Sequence, residues 1–309
     1  MGGAVLLALM PVVLIIGAGA VLRKTDFIQA AFWPQAERMS YYVLLPCLFF
    51  HSLATADLGG VPVAELALTL VLATVTVGAL VVLLRPLIHV DGPAFTSVFQ
   101  GSVRFNNYVG VTLAAGIFGA QGVALAAICN ASIVPTVNIL CVLVFARHGR
   151  ARLNALGVGK QLVSNPLIMS SLAGILFQML GLGVPSGIAG ALKALGGASL
   201  PLGLLCVGAA LELGTARQWV APVAVSSGIK FLLMPFATAA FALVFGLHGP
   251  ALTTALLFQV LPTASSAYIL ARQLGGDAPL MAGITATQTV MAIAAIPSVI
   301  WVLGLWMPI

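Results

Sequence analysis

Gln259-Val260-Leu261-Pro262-Thr263-Ala264-Ser265-Ser266-Ala267-Tyr268 lies in the middle of an apolar segment long enough to cross a bilayer. Its proline lacks a backbone donor and frees a carbonyl one turn earlier. Small hydroxyl residues follow at once. In hydrocarbon, freed backbone groups are tolerated only where protein or a polar cavity satisfies them. Two readings stand open at this point. One is a proline-kinked helix whose Ser and Thr hydroxyls bond back to its own carbonyls. The other is a broken transmembrane helix whose ends face a binding site, as in secondary transporters. A counterpart elsewhere in the chain decides between them.

Of the 309 residues, 61% are hydrophobic and 6% charged, against about 25% charged in a soluble domain. Such a chain cannot cover a water-facing surface, so it belongs in a lipid bilayer. The apolar runs reach about 20 residues without strand alternation, so the crossings are helices. The formal charge of +6 is not a nucleic-acid signature, because the basic residues sit in short loops where they set topology. Cys47, Cys129, Cys141 and Cys206 lie in apolar segments without paired ligand spacing, and His51, His89, His148 and His248 are far apart. No metal site, cofactor or catalytic nucleophile is expected. The first apolar run has no basic residue before it and no evident cleavage site, so it reads as a span and not a cleaved signal.

About ten spans can be drawn: Ala4 to Leu22, Met39 to Ala56, Val63 to Leu84, Ala94 to Phe118, Gln121 to Ala146, Leu162 to Leu180, Ile188 to Leu211, Trp219 to Phe245, Pro250 to Leu274 and Ala278 to Leu305. The first loop then holds Arg23, Lys24, Asp26, Glu37 and Arg38. Basic residues recur in every odd-to-even loop: Arg85, the linker with Arg147, Arg150, Arg152 and Lys160, then Arg217 and Arg272. The alternate loops carry none. The positive-inside rule places the basic loops in the cytoplasm and both termini outside.

The halves register on each other. The same 155 residues separate Pro11 from Pro166 and Pro46 from Pro201, and 156 separate Gly119 from Gly275. Matches in one frame argue for a duplicated unit, residues 1–155 and 156–309. Five spans per unit make the second copy enter from the opposite face, so the repeats are inverted, a transporter signature. The offset carries Asn106-Asn107 of span four onto Leu261-Pro262 of span nine. Both are polar breaks at mid-membrane depth, which favours the broken-helix reading.

At these residues the chain resembles the auxin efflux carrier family of bacterial permeases, relatives of the plant PIN-formed carriers. The likeness covers nearly the whole chain. It runs through Leu45-Pro46 and its following aromatics, Asn106 to Gly110 with Phe118-Gly119, and Ala198-Ser199-Leu200-Pro201-Leu202 to Gly208-Ala209. Its most specific part is Leu261-Pro262-Thr263-Ala264 to Gly275-Gly276-Asp277. The resemblance implies an all-α integral membrane fold of ten helices in two inverted five-helix repeats. Spans one, two, six and seven would form a scaffold. Spans three to five and eight to ten would form a transport part, with broken helices four and nine crossing. It also implies a bacterial inner-membrane carrier of organic anions such as malonate, malate or auxin.

More distantly the pattern is similar to sodium–bile-acid symporters, which hold sodium with an acidic residue at the span-nine crossing. Here the nearest polar candidate, Gln259, is neutral, and no Asp or Glu lies at the core of span four or nine. Neither that sodium site nor a protonatable carboxylate is expected at the crossing. The plant branch places a proline after the span-four glycine, whereas Val111-Thr112 follows Gly110 here.

The expected substrate-binding residues are Arg104, Asn106, Asn107, Gly110, Asn130, Gln259, Pro262, Thr263 and Ser265. Half-helix N-termini at a crossing present orphan N–H groups, each favouring an anion by about 0.3–1 kcal/mol when exposed. The Asn, Thr and Ser side chains add neutral donors. Arg104 is about ten residues, or about 15 Å at helical rise, from the cytoplasmic loop. That is far for snorkelling, so a substrate or structural-pair role is expected. Lys230 is also deep and fits either bundle pairing or the pathway, whereas Lys193 snorkels. Tyr41 and Tyr42 fit an interfacial belt. Asn138 and Gln288 read as interhelical hydrogen bonders. Gly187, Gly190, Gly196 and Gly197 fit a homodimer partner or neighbouring helices equally.

Other classes are disfavoured. An intramembrane enzyme needs a nucleophile–base pair or metal ligands at depth, and the scattered histidines and acids supply neither. A retinal-type photoreceptor wants a lysine in its last span, and span ten has none. A sensor wants an appended soluble domain. The sequence reads as a secondary carrier of a small organic anion, with a sodium-coupled bile-acid-type symporter as the alternative.

Overall fold

Prolines and Asx residues punctuate the helices. The computed structural model describes residues 2–56, 61–149, 165–211 and 219–306. Arg150, Arg152, Lys160 and Arg217 lie outside the described residues, as does the repeat boundary drawn between residues 155 and 156. Among the described residues every regular element is helical. They are α1 Gly2–Lys24, α2 Phe32–Met39, α3 Leu45–Ala54, α4 Val63–Leu83, α5 Gly92–Val103, α6 Asn107–His148, α7 Pro166–Met179, α8 Ser186–Ala209, α9 Val220–Gly228, α10 Met234–Val244, α11 Gly249–Gln259, α12 Ser266–Leu274 and α13 Ala278–Gly304.

Asp91, Asn165 and Asp277 start α5, α7 and α13. Their side chains accept from Ala94 N, from Leu167 N and Ile168 N, and from Leu280 N, each with a proline in the first helical turn. The carboxylate or amide oxygen satisfies orphan N–H groups, and proline lacks a donor where none is needed. Two π-helical turns, Ser40–Leu44 and Ile229–Leu233, join α2 to α3 and α9 to α10. Pro46 and Pro235 follow them directly. A proline cannot bond the carbonyl one turn back and its ring crowds it, and a wider turn relieves both. The helix of span two therefore starts at Phe32, not Met39. Glu37 and Arg38, expected in a loop, lie within it.

Six helical stretches among the described residues are long and apolar enough to cross a membrane: Val5–Lys24, Val63–Leu83, Gly92–His148, Ser186–Ala209, Val220–Val244 and Ala278–Gly304. Leu7, Met10 and Leu14 on α1 and Leu172 and Leu176 on α7 are exposed, a surface suited to lipid and not water. The chain is a multi-pass membrane protein. Helix α1 packs along α8, and α3 along α7 and α8. Helix α4 packs on α6 and α10, and α5 on α6, α9 and α13. Gly196 of α8 seats against the backbone of Leu48, while Gly187, Gly190 and Gly197 face open space.

The 57-residue stretch Gly92–His148 is not one rod. It is interrupted between Val103 and Asn107. It also turns at Gly119, where φ is 57° and ψ −135°. Past that point the chain folds back, so that Gly122 lies against the Ala114 carbonyl. A side chain at Gly119 forces an L-residue into a region almost reserved for glycine. Gly119→Ala is expected to lose about 1–3 kcal/mol of stability, read as a lower unfolding midpoint of the purified protein in detergent.

Candidate functional site

Two helix breaks meet. Helix α5 ends at Val103, Arg104 and Asn106 are extended, and α6 begins at Asn107. Helix α11 ends at Gln259, and α12 begins only at Ser266. Gly110 allows the contact: a Cβ there would stand 2.5 Å from Leu261 Cδ1 and 3.0 Å from Phe258 Cζ. Phe105 meets Phe258 edge-on, with centroids 5.7 Å apart.

Polar groups stitch the breaks together. Thr263 is fully buried, and its hydroxyl lies 3.4 Å from the Gln100 carbonyl and 3.3 Å from that of Arg104. Its N–H donates to Gln288 Oε1 at 3.0 Å. Gln288 Nε2 donates to the Gly101 carbonyl at 3.0 Å and to Ser226 Oγ at 3.2 Å. Gln259 ties α11 to α4 by donating to Thr74 Oγ1 at 3.0 Å and to the Leu70 carbonyl at 3.3 Å. These three side chains hold the broken backbone and do not line the cavity beside it.

That cavity, of about 60 Å³, is lined by Arg104, Asn106, Asn107, Ser265 and Ser266, with Glu37, Tyr41 and Asn138 among the others. Asn106 caps α6, accepting from Tyr108 N at 3.1 Å and Val109 N at 3.3 Å. Asn107 Oδ1 is buried without a hydrogen-bond partner among the described residues. Arg104 donates to Asn138 Oδ1 at 3.1 Å. Its structural pair is therefore a neutral amide on α6. Among the described residues the only ion pair is Arg23–Asp26, so Arg104 has no carboxylate within ion-pair distance, although Glu37 lines the same cavity. Ser265, at the cap position of α12, makes no capping bond to its own helix and donates instead to Glu37 Oε1 at 2.6 Å.

Of the nine expected residues, the cavity gathers Arg104, Asn106, Asn107 and Ser265. Gly110, Gln259 and Thr263 shape the contact around it. Pro262 lines a separate apolar cavity of about 180 Å³ with Leu9, Val12 and Thr289. Asn130 is buried, donates to its own Ala126 carbonyl at 2.9 Å, and lines neither. The expectation of no carboxylate here needs correction, because Glu37 arrives from α2 and not from span four or nine. Tyr41 is corrected too: it lines the cavity, and its hydroxyl accepts from Asn165 Nδ2 at 3.3 Å. The missed signal was the i, i+4 spacing of Glu37 and Tyr41, legible only once the helix is known to start at Phe32. Lys230 is fully buried in the second π-helical turn, and its Nζ has no partner among the described residues.

A third cavity, of about 890 Å³, opens at the other end of the Phe32–Ala54 helix. Its lining includes Leu48, His51, Thr55, Gln121, Lys193 and His248.

The sequence profile of a family described as membrane transport protein matches residues 4–302. The chain belongs to this family, that of the auxin efflux carriers. Two relatives of this carrier bracket it. An "Uncharacterized transporter" of Methanothermobacter thermautotrophicus is 26% identical over 265 residues, covering 84% of this chain and 85% of the relative. A protein of Rhizobium meliloti named "Putative malonate transporter" is 23% identical over 279 residues, covering 85% of this chain and 84% of the relative.

Gln288→Leu would leave the Thr263 N–H and the Gly101 carbonyl without partners in a buried setting. Each such group costs about 1–3 kcal/mol. The variant is expected to unfold at a clearly lower temperature in detergent than wild type, whereas Asn130→Ala, which lines no cavity and bonds only to its own helix, is expected to shift much less.

Proposed function

We propose that this carrier moves a small organic anion by alternating access, with a substrate carboxylate at the meeting of the two breaks. The observation that carries the reading is one cavity shared by Arg104, which has no carboxylate within ion-pair distance among the described residues, the amides of Asn106 and Asn107, and the Ser265 hydroxyl. Ionic hydrogen bonds of this kind are worth about 1.5–3 kcal/mol each. The name of the Rhizobium relative makes malonate the first substrate to try.

In this reading Gly92–His148 supplies two spans divided at Gly119, and ten crossings form two inverted repeats. The packing of α1, α2–α3, α7 and α8 on one another supports a scaffold. The remaining helices would form the transport part, with α5–α6 and α11–α12 crossing at their breaks. Both termini would lie outside a bacterial inner membrane. The large cavity would then be the outward vestibule. Its lining among the described residues includes Lys193, His51 and His248, and a positive charge at an entrance raises the local concentration of negative solutes.

The test is counterflow of labelled malonate, malate and indole acetate in proteoliposomes. Arg104→Gln and Asn106→Ala are expected to lower exchange by about tenfold or more, the loss of one ionic hydrogen bond or cap. Lys193→Gln is expected to raise KM a few-fold at low salt with kcat unchanged. Folded wild-type protein that exchanges no carboxylate would overturn the reading.

A further inference from the structure

Among the described residues Glu37 is the only acidic one lining the cavity at the breaks. Its carboxylate accepts the Ser265 hydroxyl at 2.6 Å, across 228 positions of sequence. It sits on α2, which packs on α8, while Ser265 opens α12 among the other group of helices. The bond therefore adds a polar link between the two groups, which also meet where α6 packs on α1, α3, α7 and α8 and where α1 packs on α13.

Three observations give this contact a role beyond packing. First, Ser265 makes no capping bond to its own helix, and its hydroxyl is spent on the Glu37 carboxylate. Second, Arg104 lines the same cavity and has no ion-pair partner among the described residues. Third, a cavity of about 60 Å³ has room for about two waters. A substrate carboxylate that enters so small a site comes up against the Glu37 carboxylate. The Ser265 hydroxyl and the Arg104 guanidinium are partners a substrate carboxylate would use.

We propose that Glu37 is a built-in competitor of the substrate. It occupies the carboxylate position in the empty carrier and latches the scaffold helices to the transport helices. This rests on the anion reading of the site. Two carboxylates in one small site repel, so an arriving anion displaces Glu37 and breaks its bond to Ser265. The transport helices are then freed only when the site is loaded. The empty carrier is held by the restored bond, which favours exchange over net movement.

The experiment measures binding of labelled malonate to purified wild type, Glu37→Gln and Glu37→Asp in detergent at low salt. Gln keeps the size but replaces the charged acceptor with a neutral one, so the Ser265 contact is weakened without opening space. Glu37→Gln is expected to bind malonate about tenfold more tightly, the removal of one competing ionic contact. Glu37→Asp, with its carboxylate drawn back, is expected to fall between. In proteoliposomes the ratio of net efflux to exchange is expected to rise in Glu37→Gln, a change that a packing role would not produce. Unchanged or weaker binding, in a variant that elutes and melts like wild type, would overturn the competitor role while wild-type binding leaves the anion reading standing. If Glu37→Gln does not fold, Glu37→Asp with wild-type affinity overturns it. If no form binds malonate, malate or indole acetate, the reading of the site fails and this inference with it.

Discussion

Backbone groups freed by a broken helix have no water to turn to within a bilayer, and here they turn to each other. The carbonyls at the end of α5 accept from Thr263 and Gln288, and the Thr263 N–H returns to Gln288. One break is tolerable because the other lies against it. Gly110 follows from this requirement, since any side chain there would push Leu261 and Phe258 away. The stretch of span nine and the stretch of span four are thus a single structural unit, although more than 150 residues of sequence separate Asn106 from Thr263.

The charges near the breaks divide by what neutralises them. Arg104 leans on a neutral amide, and Glu37 on a neutral hydroxyl. Neither is matched by an opposite charge within ion-pair distance among the described residues. A site left electrostatically open in this way can accept an incoming ion, whereas a closed salt bridge would have to be broken first. Lys230 is a different case. It is wholly buried and without a partner among the described residues, an expensive placement in a membrane, and it does not line the cavity at the breaks.

The helix from Phe32 to Ala54 runs past both cavities. Glu37 and Tyr41 border the small one, and Leu48 to Ala56 the large one. In the proposed carrier cycle, motion of the transport helices along this element would close one cavity as the other opens. The π-helical turn at Ser40–Leu44 lies between the two. It precedes Pro46, so this proline also sets which side chains of this helix face the site.

Membrane residence was determined by composition, since so few charges cannot cover a wet surface. The helix ends were largely legible, because Asx caps, prolines and Gly119 act locally: drawn and observed boundaries agree for α4, α8 and α13 within a few residues. The breaks at Asn106 and Pro262 were legible for the same reason. Two things were not. The start of span two was hidden because Phe32–Met39 mixes polar and apolar residues and reads as loop until packed against α8. The partners of each polar side chain were hidden because hydrogen bonding across helices depends on rotation and depth, which spacing alone does not supply. That Thr263 and Gln288 mend the backbone, that Asn130 bonds only its own helix, and that Glu37 reaches Ser265 were decided by tertiary packing, because only there do residues more than two hundred positions apart come within 3 Å.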